Sequence, residues 1–244
     1  MRYHHEQKAD ITYTHGGVTL TDTATVGVNV KTLHVDVAVM TTNNVACVQK
    51  SRVDADMKAM QERYAQANIK VEWTYKTFPA PPSVMAHIAN GTDWGVDKPQ
   101  DNITPLRVLT PEGRAVIDAT GLSADNFRVI YMPRPLHIGT KVPGAFGDEV
   151  RGYALTSDVF THNDDKDYAG NTCFVTEGGT THFIPAHEVV HLLRNDGKHE
   201  DFKWNLMYKS VPLIPFDPAW NDLRANKRLT QGFIDAIRQN GKLQ

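Results

Sequence analysis

Apolar and polar positions alternate from residue 33 onward, which predicts a strand over 33–40. Apolar positions then recur at helical spacing, which predicts a helix over about 51–68 with Ser51 as its N-cap. The apolar face of this helix consists of Val53, Met57, Met60 and Tyr64. Alternation returns at 69–75 and predicts a second strand. A strand, a helix and a strand at this spacing predict a parallel pair joined by a right-handed crossover.

The middle of the chain carries a less regular pattern. Residues 77–109 are rich in proline and glycine, and we predict a long surface insertion there. Thr110 before Pro111 predicts the cap of a short helix that ends near residue 120. The apolar run 127–132 predicts a buried parallel strand, and 152–159 predicts a fourth strand at the sheet edge.

The last third of the chain contains two predicted helices. The acidic stretch 161–167 is interpreted as a solvated loop, and 180–194 is predicted to be a strongly apolar helix. A final helix around 233–237 is closed by Asn240 and Gly241. Strands that alternate with helices in this way predict an α/β fold with a twisted, mostly parallel sheet.

The first 30 residues differ in composition from the rest of the chain. Residues 1–30 are rich in threonine, glycine and histidine, and alternation around 15–17 predicts a hairpin turn. We interpret 1–30 as an appendage or linker and 31–244 as the main domain.

Composition excludes some classes of function. The 244 residues are 41% hydrophobic and carry a net charge of −2, which gives no electrostatic footprint for nucleic acid or an anionic membrane. No apolar run is long enough to span a bilayer, and the first residues lack the apolar core of a classical signal peptide. Cys47 and Cys173 are interpreted as buried thiols or as one disulfide, and neither has the spacing of a zinc site.

The apolar helix contains the sequence His-Glu-Val-Val-His. On a helix, His187 and His191 lie on one face and can present two imidazoles to one ion. Glu188 lies beside the first histidine, where its carboxylate can reach a metal-bound water rather than the metal. Zn²⁺ suits such a ligand set with one coordination position left open. A helix with two satisfied or exposed histidines is the alternative.

A third ligand is expected after the helix ends. Asn195, Asp196 and Gly197 are predicted to end the helix, with Gly197 able to take the left-handed conformation, so that the chain reverses toward the site. His199 lies two residues beyond this turn and is the favoured ligand, because imidazole fits a three-histidine catalytic site. Glu200, Asp201 and Asp196 remain alternatives.

The stretch 181–210 resembles the zincin metallopeptidases, and among them the metzincins. Their signature HExxHxxGxxH begins here with His187, Glu188 and His191, and Asn-Leu-Met-Tyr at 205–208 resembles their Met-turn. The resemblance implies that Met207 forms a hydrophobic floor beneath the metal. The family's glycine is replaced by Arg194, and Gly197 stands where the family has its third histidine, so that His199 comes two residues late. Tyr208 follows the methionine by one residue rather than two and is assigned no role.

The resemblance, which plausibly extends over 31–244, implies a fold and a mechanism. The fold would have an edge strand above the cleft, an active-site helix and a C-terminal helical subdomain. The activity would be zinc-dependent endopeptidase cleavage, with Glu188 as general base and a protein or peptide as substrate. The strand near 152–159 would hold that substrate as an added strand.

The same residues are also compatible with other functions. A zinc hydrolase of cell-wall peptides would need the same site, whereas a non-catalytic zinc or binding module would not need Glu188. The polar N-terminal segment followed by such a domain resembles metallopeptidase domains fused to type VI secretion tip proteins. That resemblance implies an antibacterial effector or toxin, secreted or delivered outside the producing cell, with an inhibitor or immunity protein as a possible partner. A cytoplasmic peptidase is the alternative.

Overall fold

The computed structural model describes most of the chain. The described residues are 5–15, 18–28, 30–90, 95–99, 107–133, 151–157, 160, 163–176, 182–199, 206–207 and 229–244. Near the N-terminus, β1 (His5–His15) pairs antiparallel with β2 (Val18–Val28), in a sheet of their own. This pairing confirms the predicted hairpin, although residues 16 and 17 of its turn lie outside the described residues. The division of the chain at residue 30 stays a prediction.

The main sheet is mostly parallel. Its strands are β3 (Lys31–Thr42), β4 (Val45–Ala46), β5 (Ile69–Pro79), β8 (Phe127–Met132), β9 (Gly152–Leu155) and β10 (Thr172–Thr176). Strand β3 pairs in parallel with β5 and with β8, and β8 pairs in parallel with β10. Strand β9 pairs antiparallel with β10 at the end of this order. The α/β fold class and the parallel pair formed by β3 and β5 are therefore confirmed.

Six α-helices and a small ribbon complete the described part. The helices are α1 (Lys50–Tyr64), α2 (Pro82–Asn90), α3 (Pro111–Thr120), α4 (Asn163–Ala169), α5 (Ile184–Arg194) and α6 (Gln231–Arg238). The ribbon pairs β6 (Asp97–Pro99) antiparallel with β7 (Arg107–Leu109). None of the helices in the described ranges is long and apolar enough to cross a membrane.

The sheet buries a separate core on each face. Because side chains alternate along a strand, Val37 of β3 belongs to one core and Ala38 to the other. The first core includes residues of α1, α5 and α6, and the second includes residues of α2 and α3. The predicted apolar face of α1 is fully buried in the first core. Helix α5, which carries the histidine motif, is thus fixed against one face of the sheet.

Several local predictions were right and one cap was wrong. Thr110 caps α3 as predicted, since its hydroxyl accepts a hydrogen bond from the backbone N–H of Gly113 at 3.0 Å. Ser51, in contrast, lies inside α1, whose N-cap is Gln49 without a side-chain cap bond. Helix α1 also ends earlier than predicted, and a 3-10 turn follows before Asn68 takes the left-handed conformation at φ 53°.

Two stretches predicted to be irregular are partly ordered elements. The region 77–109 contains the end of β5, helix α2 and the ribbon, and Val84 and Val96 are buried there. Residues 163–167 of the acidic stretch lie in α4. In this helix Asp165 is buried and accepts hydrogen bonds from the backbone N–H of Leu109 and from Arg114. These tertiary contacts give the acidic residues a role that a solvated loop would not have.

Strand β10 was not predicted, although it is fully buried between β8 and β9. The strand predicted at 152–159 is present but ends at Leu155, and helix α5 begins at Ile184 rather than at residue 180. Cys47 and Cys173 are both thiols, so the disulfide alternative is wrong.

Candidate metal centre

Helix α5 brings two histidines together by its periodicity alone. His187 and His191 are one turn apart, and their Nε2 atoms are separated by 3.1 Å. The helix begins with Ile184 and Pro185, and proline in the first turn lacks only an N–H that would have no partner in the helix. Its other faces bury apolar side chains against the sheet. Burial therefore sets the rotation of the helix, and that rotation aims both imidazoles the same way.

Neighbouring elements hold α5 in place through its backbone. The Tyr64 hydroxyl, buried at the end of α1, donates a hydrogen bond to the carbonyl of Ala186 at 2.8 Å. Near the other end, the side-chain amide of Asn240 donates to the carbonyl of Leu193 at 2.8 Å. These two contacts tether α5 on either side of the motif.

Asn195, not Gly197, terminates the helix. Asn195 takes the left-handed conformation at φ 54°, and its N–H bonds back to the carbonyls of His191 and Leu192. Gly197 has no positive φ, so the prediction that it provides the reversal was wrong. The physical reason is that asparagine tolerates the left-handed region and often replaces glycine at this position. The left-handed residue is therefore Asn195, two residues before Gly197, within the segment that was predicted to end the helix.

The side chain of Asn195 also ties the helix end to the sheet edge. Its Oδ1 accepts hydrogen bonds from the backbone N–H and from the hydroxyl of Ser157, both at 2.7 Å. Ser157 lies two residues beyond the end of β9. The turn that follows the motif is therefore anchored to the strand that borders the site.

Asp196 organises the returning loop without joining the histidine cluster. Its carboxylate accepts hydrogen bonds from Arg194 at 2.8 Å and from the backbone N–H of Lys198 at 3.2 Å. Its carbonyl accepts a hydrogen bond from Nδ1 of His191 at 2.8 Å. Asp196, one of the alternative third ligands, thus acts on the site through its backbone.

His199 returns to the two helical histidines. Its Nε2 lies 3.2 Å from Nε2 of His187 and 3.3 Å from Nε2 of His191. The three predicted metal-ligating residues therefore form one cluster, in which His191 is buried, His187 half-buried and His199 exposed. The alternatives Glu200 and Asp201 lie outside the described residues.

The tautomers of two histidines follow from their backbone partners. Nδ1 of His187 lies 2.8 Å from the carbonyl of Leu206, and Nδ1 of His191 has the same distance to that of Asp196. A carbonyl only accepts hydrogen bonds, so each Nδ1 carries the proton and each Nε2 presents a lone pair. Burial lowers the pKa of His191 to about 4, which keeps this imidazole neutral at pH 7.

The cluster fits a metal ion better than it fits three imidazoles on their own. Lone pairs of His187 and His191 face each other at 3.1 Å, which is repulsive unless a cation lies between them. Tetrahedral ligands about 2.0–2.1 Å from an ion lie about 3.3–3.4 Å apart, close to the observed 3.1–3.3 Å. Among the described residues, the cluster contains three side-chain ligands and no fourth.

Glu188 is buried beside the cluster. Burial raises the pKa of Glu188 to about 8, and a hydrogen bond from the backbone N–H of Ala154 opposes that shift. Its carboxyl Oε1 lies against Gly152 of β9. A divalent cation at the histidines would lower this pKa further and favour the carboxylate. Glu188 therefore lies where β9 meets α5.

The segment predicted to form a Met-turn contributes a backbone contact. Leu206, whose carbonyl faces Nδ1 of His187, and Met207 are both buried in the core against α5. Asn205 and Tyr208 lie outside the described residues. Met207 is thus a buried residue next to the carbonyl that faces His187, and its role as a floor beneath a metal stays a prediction.

Sequence reasoning missed the residues that orient the site. Ser157 and Gly152 were assigned no such role. Asn195 was predicted to be part of the helix end, but the left-handed conformation was assigned to Gly197, although asparagine also adopts it at this position. The exposed side chain of His182 was also given no partner from the sequence: its Nδ1 lies 2.5 Å from the buried carboxylate of Asp56, which also accepts a hydrogen bond from Tyr131 at 2.8 Å.

Comparisons with known proteins are limited to structure. No protein-family model and no curated protein matches the chain. Metalloproteinase-II from Bacteroides fragilis is similar with a TM-score of 0.49 at 13% identity, over 85% of this chain and 52% of that chain. Mirolysin in complex with compound 9 gives 0.49 at 11% identity, over 87% and 94%. Mature mirolysin of Tannerella forsythia with a cleaved peptide gives 0.43 at 12%, again over 87% and 94%. This chain spans about half of the Bacteroides fragilis chain and nearly all of each mirolysin chain.

Proposed function

We propose that this chain is a zinc-dependent endopeptidase. In this proposal His187, His191 and His199 hold Zn²⁺, and Glu188 is the general base. The observation that carries the proposal is the convergence of three Nε2 atoms within 3.1–3.3 Å, next to a buried carboxylate. Structural zinc sites usually fill all four positions with protein ligands, whereas catalytic sites keep one position open.

The buried carboxylate favours catalysis over a structural zinc module. Removing a carboxylate from water costs free energy, and a helix that only holds a metal does not need one at position 188. Glu188 follows a metal-ligating residue and lies under the edge strand. This arrangement suits a group that exchanges a proton with a bound substrate or water.

The roles of the chain's own residues follow from their positions. When bound, Zn²⁺ supplies a Lewis acid that polarises a peptide carbonyl and lowers the pKa of water. Glu188 accepts the proton of the attacking water and then delivers it to the leaving amine, so that no net proton is consumed. The carbonyls of Leu206 and Asp196 keep two imidazoles in the tautomer that binds metal.

Strand β9 is the proposed binding strand for the peptide. Strand β9 pairs with β10 along one edge, and no strand among the described residues pairs with its other edge. An extended peptide that adds to the open edge of β9 would lie directly above Glu188. The substrate class is therefore a protein or peptide in extended conformation.

The biological context is part of the proposal. The motif at 187–191 with Met207 resembles the metzincins, and the polar N-terminal segment resembles those that precede metallopeptidase domains fused to type VI secretion tip proteins. We therefore propose an effector that acts outside the producing cell, with an inhibitor or immunity protein as partner.

A cleavage assay tests the proposed activity. The zinc-loaded chain and its Glu188→Ala variant are incubated with a mixed peptide library and with cell-wall peptides, and products are identified by mass spectrometry. Cleavage of library peptides by the wild type alone is expected. Cleavage of cell-wall peptides alone would assign the site to a different zinc hydrolase, and equal products from both proteins would contradict the role of Glu188.

A further inference from the structure

Gly152 in β9 lies against the proposed general base. An alanine Cβ at Gly152 would lie 2.6 Å from Oε1 of Glu188 and 2.9 Å from its Cγ. It would also lie 2.6 Å from Cγ2 of Ile184, in the first turn of α5. Carbon atoms in proteins pack at about 3.5–4.0 Å, so a side chain fits at this position only if the side chains of Glu188 and Ile184 shift or α5 moves away from β9.

Other crowded glycines in the described ranges have a different environment. The Cβ of an alanine at Gly113 or Gly170 would first meet a backbone carbonyl, of Val96 or Lys166 respectively. Among the described glycines, Gly152 is the one whose missing side chain makes room for a carboxylate. The absence of a side chain at position 152 therefore accommodates Glu188, whereas at the other two glycines it accommodates the backbone.

The same strand makes a second contact with Glu188. The backbone N–H of Ala154, two residues along β9, donates a hydrogen bond to Glu188. One short strand thus supplies both the space for the carboxylate and a hydrogen bond to it.

We infer that Gly152 is a positioning residue for Glu188, and that β9 forms the socket in which the base is held. This inference rests on the proposed function, because Glu188 is a general base only in that function. Strand β9 would then hold both the base and the backbone of the substrate. A side chain at position 152 would push the carboxylate away from the reacting atoms and leave the three histidines in place.

The experiment compares Gly152→Ala with Gly232→Ala. Gly232 lies in α6 with nothing within 4 Å of an added Cβ, so it controls for the loss of glycine. We expect Gly152→Ala to keep one zinc per chain and a KM within about threefold of wild type. Its kcat should fall about 10²-fold, the effect of a misplacement of roughly 1 Å. Unchanged kcat, or loss of zinc, would overturn the inference.

A thermal double-mutant cycle tests the socket without any activity. We expect Gly152→Ala to lower the Tm of the zinc-free protein by roughly 3–10 °C. In the Glu188→Ala background the crowding with Cγ and Oε1 is absent, so the loss of Tm should be at most about half as large. An equal loss in both backgrounds would overturn the inference. If the wild type cleaves no peptide, the proposed function fails and this cycle still decides whether the socket exists.

Discussion

The two halves of the candidate centre are positioned by different means. His187 and His191 meet because they are one helical turn apart on a helix whose apolar faces are buried. His199 meets them because a left-handed asparagine, a carboxylate and a carbonyl fold the next four residues back onto the helix. The helical half depends on periodicity, and the loop half depends on specific hydrogen bonds. Substitutions should therefore act differently in the two halves.

The largest effect is expected within the helical half, at the residue that performs chemistry. Glu188→Gln keeps the shape of the side chain but removes the proton acceptor, so kcat should fall by about 10²–10⁴-fold. The metal ligands are unchanged, and zinc content should stay at that of the wild type. Peptide cleavage and metal analysis of the same sample check this. A variant that keeps wild-type kcat would exclude Glu188 as the base.

A smaller effect is expected where the loop half begins. Asn195→Ala places alanine in the left-handed region at a cost of about 1–2 kcal/mol and removes the acceptor for Ser157. We expect zinc affinity to fall by roughly 10–100-fold, as for other residues that orient metal ligands. Competition with a zinc chelator measures this affinity.

Asn195→Gly is the matched variant for that prediction. Glycine restores the left-handed conformation but not the hydrogen bonds to Ser157, so its zinc affinity should lie between those of wild type and Asn195→Ala. If alanine and glycine bind zinc as tightly as asparagine, the loop is not held by this cap.

The tether between α1 and the helical half affects stability rather than metal binding. Tyr64→Phe removes the buried hydroxyl that donates to the carbonyl of Ala186 and should lower the free energy of unfolding by about 0.5–1.5 kcal/mol, the net value of one hydrogen bond. Urea denaturation of the zinc-free protein measures this, with zinc content as the control. Unchanged stability would mean that this hydrogen bond does not stabilise the packing of α1 against α5.

The smallest effect is expected at the glycine that the sequence pattern favoured. Gly197 lies between the ligands His191 and His199, but an added Cβ would have nothing within 4 Å, and its φ is not positive. Gly197→Ala should therefore change the free energy of unfolding by less than about 0.5 kcal/mol and leave zinc affinity unchanged. A marked loss of zinc would show that residue 197 needs a backbone conformation that alanine cannot adopt.

The helical half was predictable from the sequence because its signals are local. The spacing of His187 and His191, with apolar residues around them, already implies one helical face and one rotation. The same holds for α1, whose four predicted apolar positions are all fully buried, and for the cap of α3 at Thr110. These features depend on neighbours within a few residues.

Features that depend on distant residues were missed. Strand β10 is only five residues long, and its burial arises from pairing with β8 and β9. Helix α4 contains an acidic residue, Asp165, whose partners lie more than 50 residues earlier. The space at Gly152 exists only because α5 packs against β9. No local pattern contains this information.

The most direct test of the central claim is the zinc content of the purified chain, measured by inductively coupled plasma mass spectrometry. Wild type, His187→Ala and His199→Ala are compared after zinc is offered and the excess removed. A three-histidine centre predicts about one zinc per wild-type chain and a loss in both variants, because each half supplies a necessary ligand. Wild type without zinc, or His199→Ala that keeps it fully, would contradict a centre built from both halves.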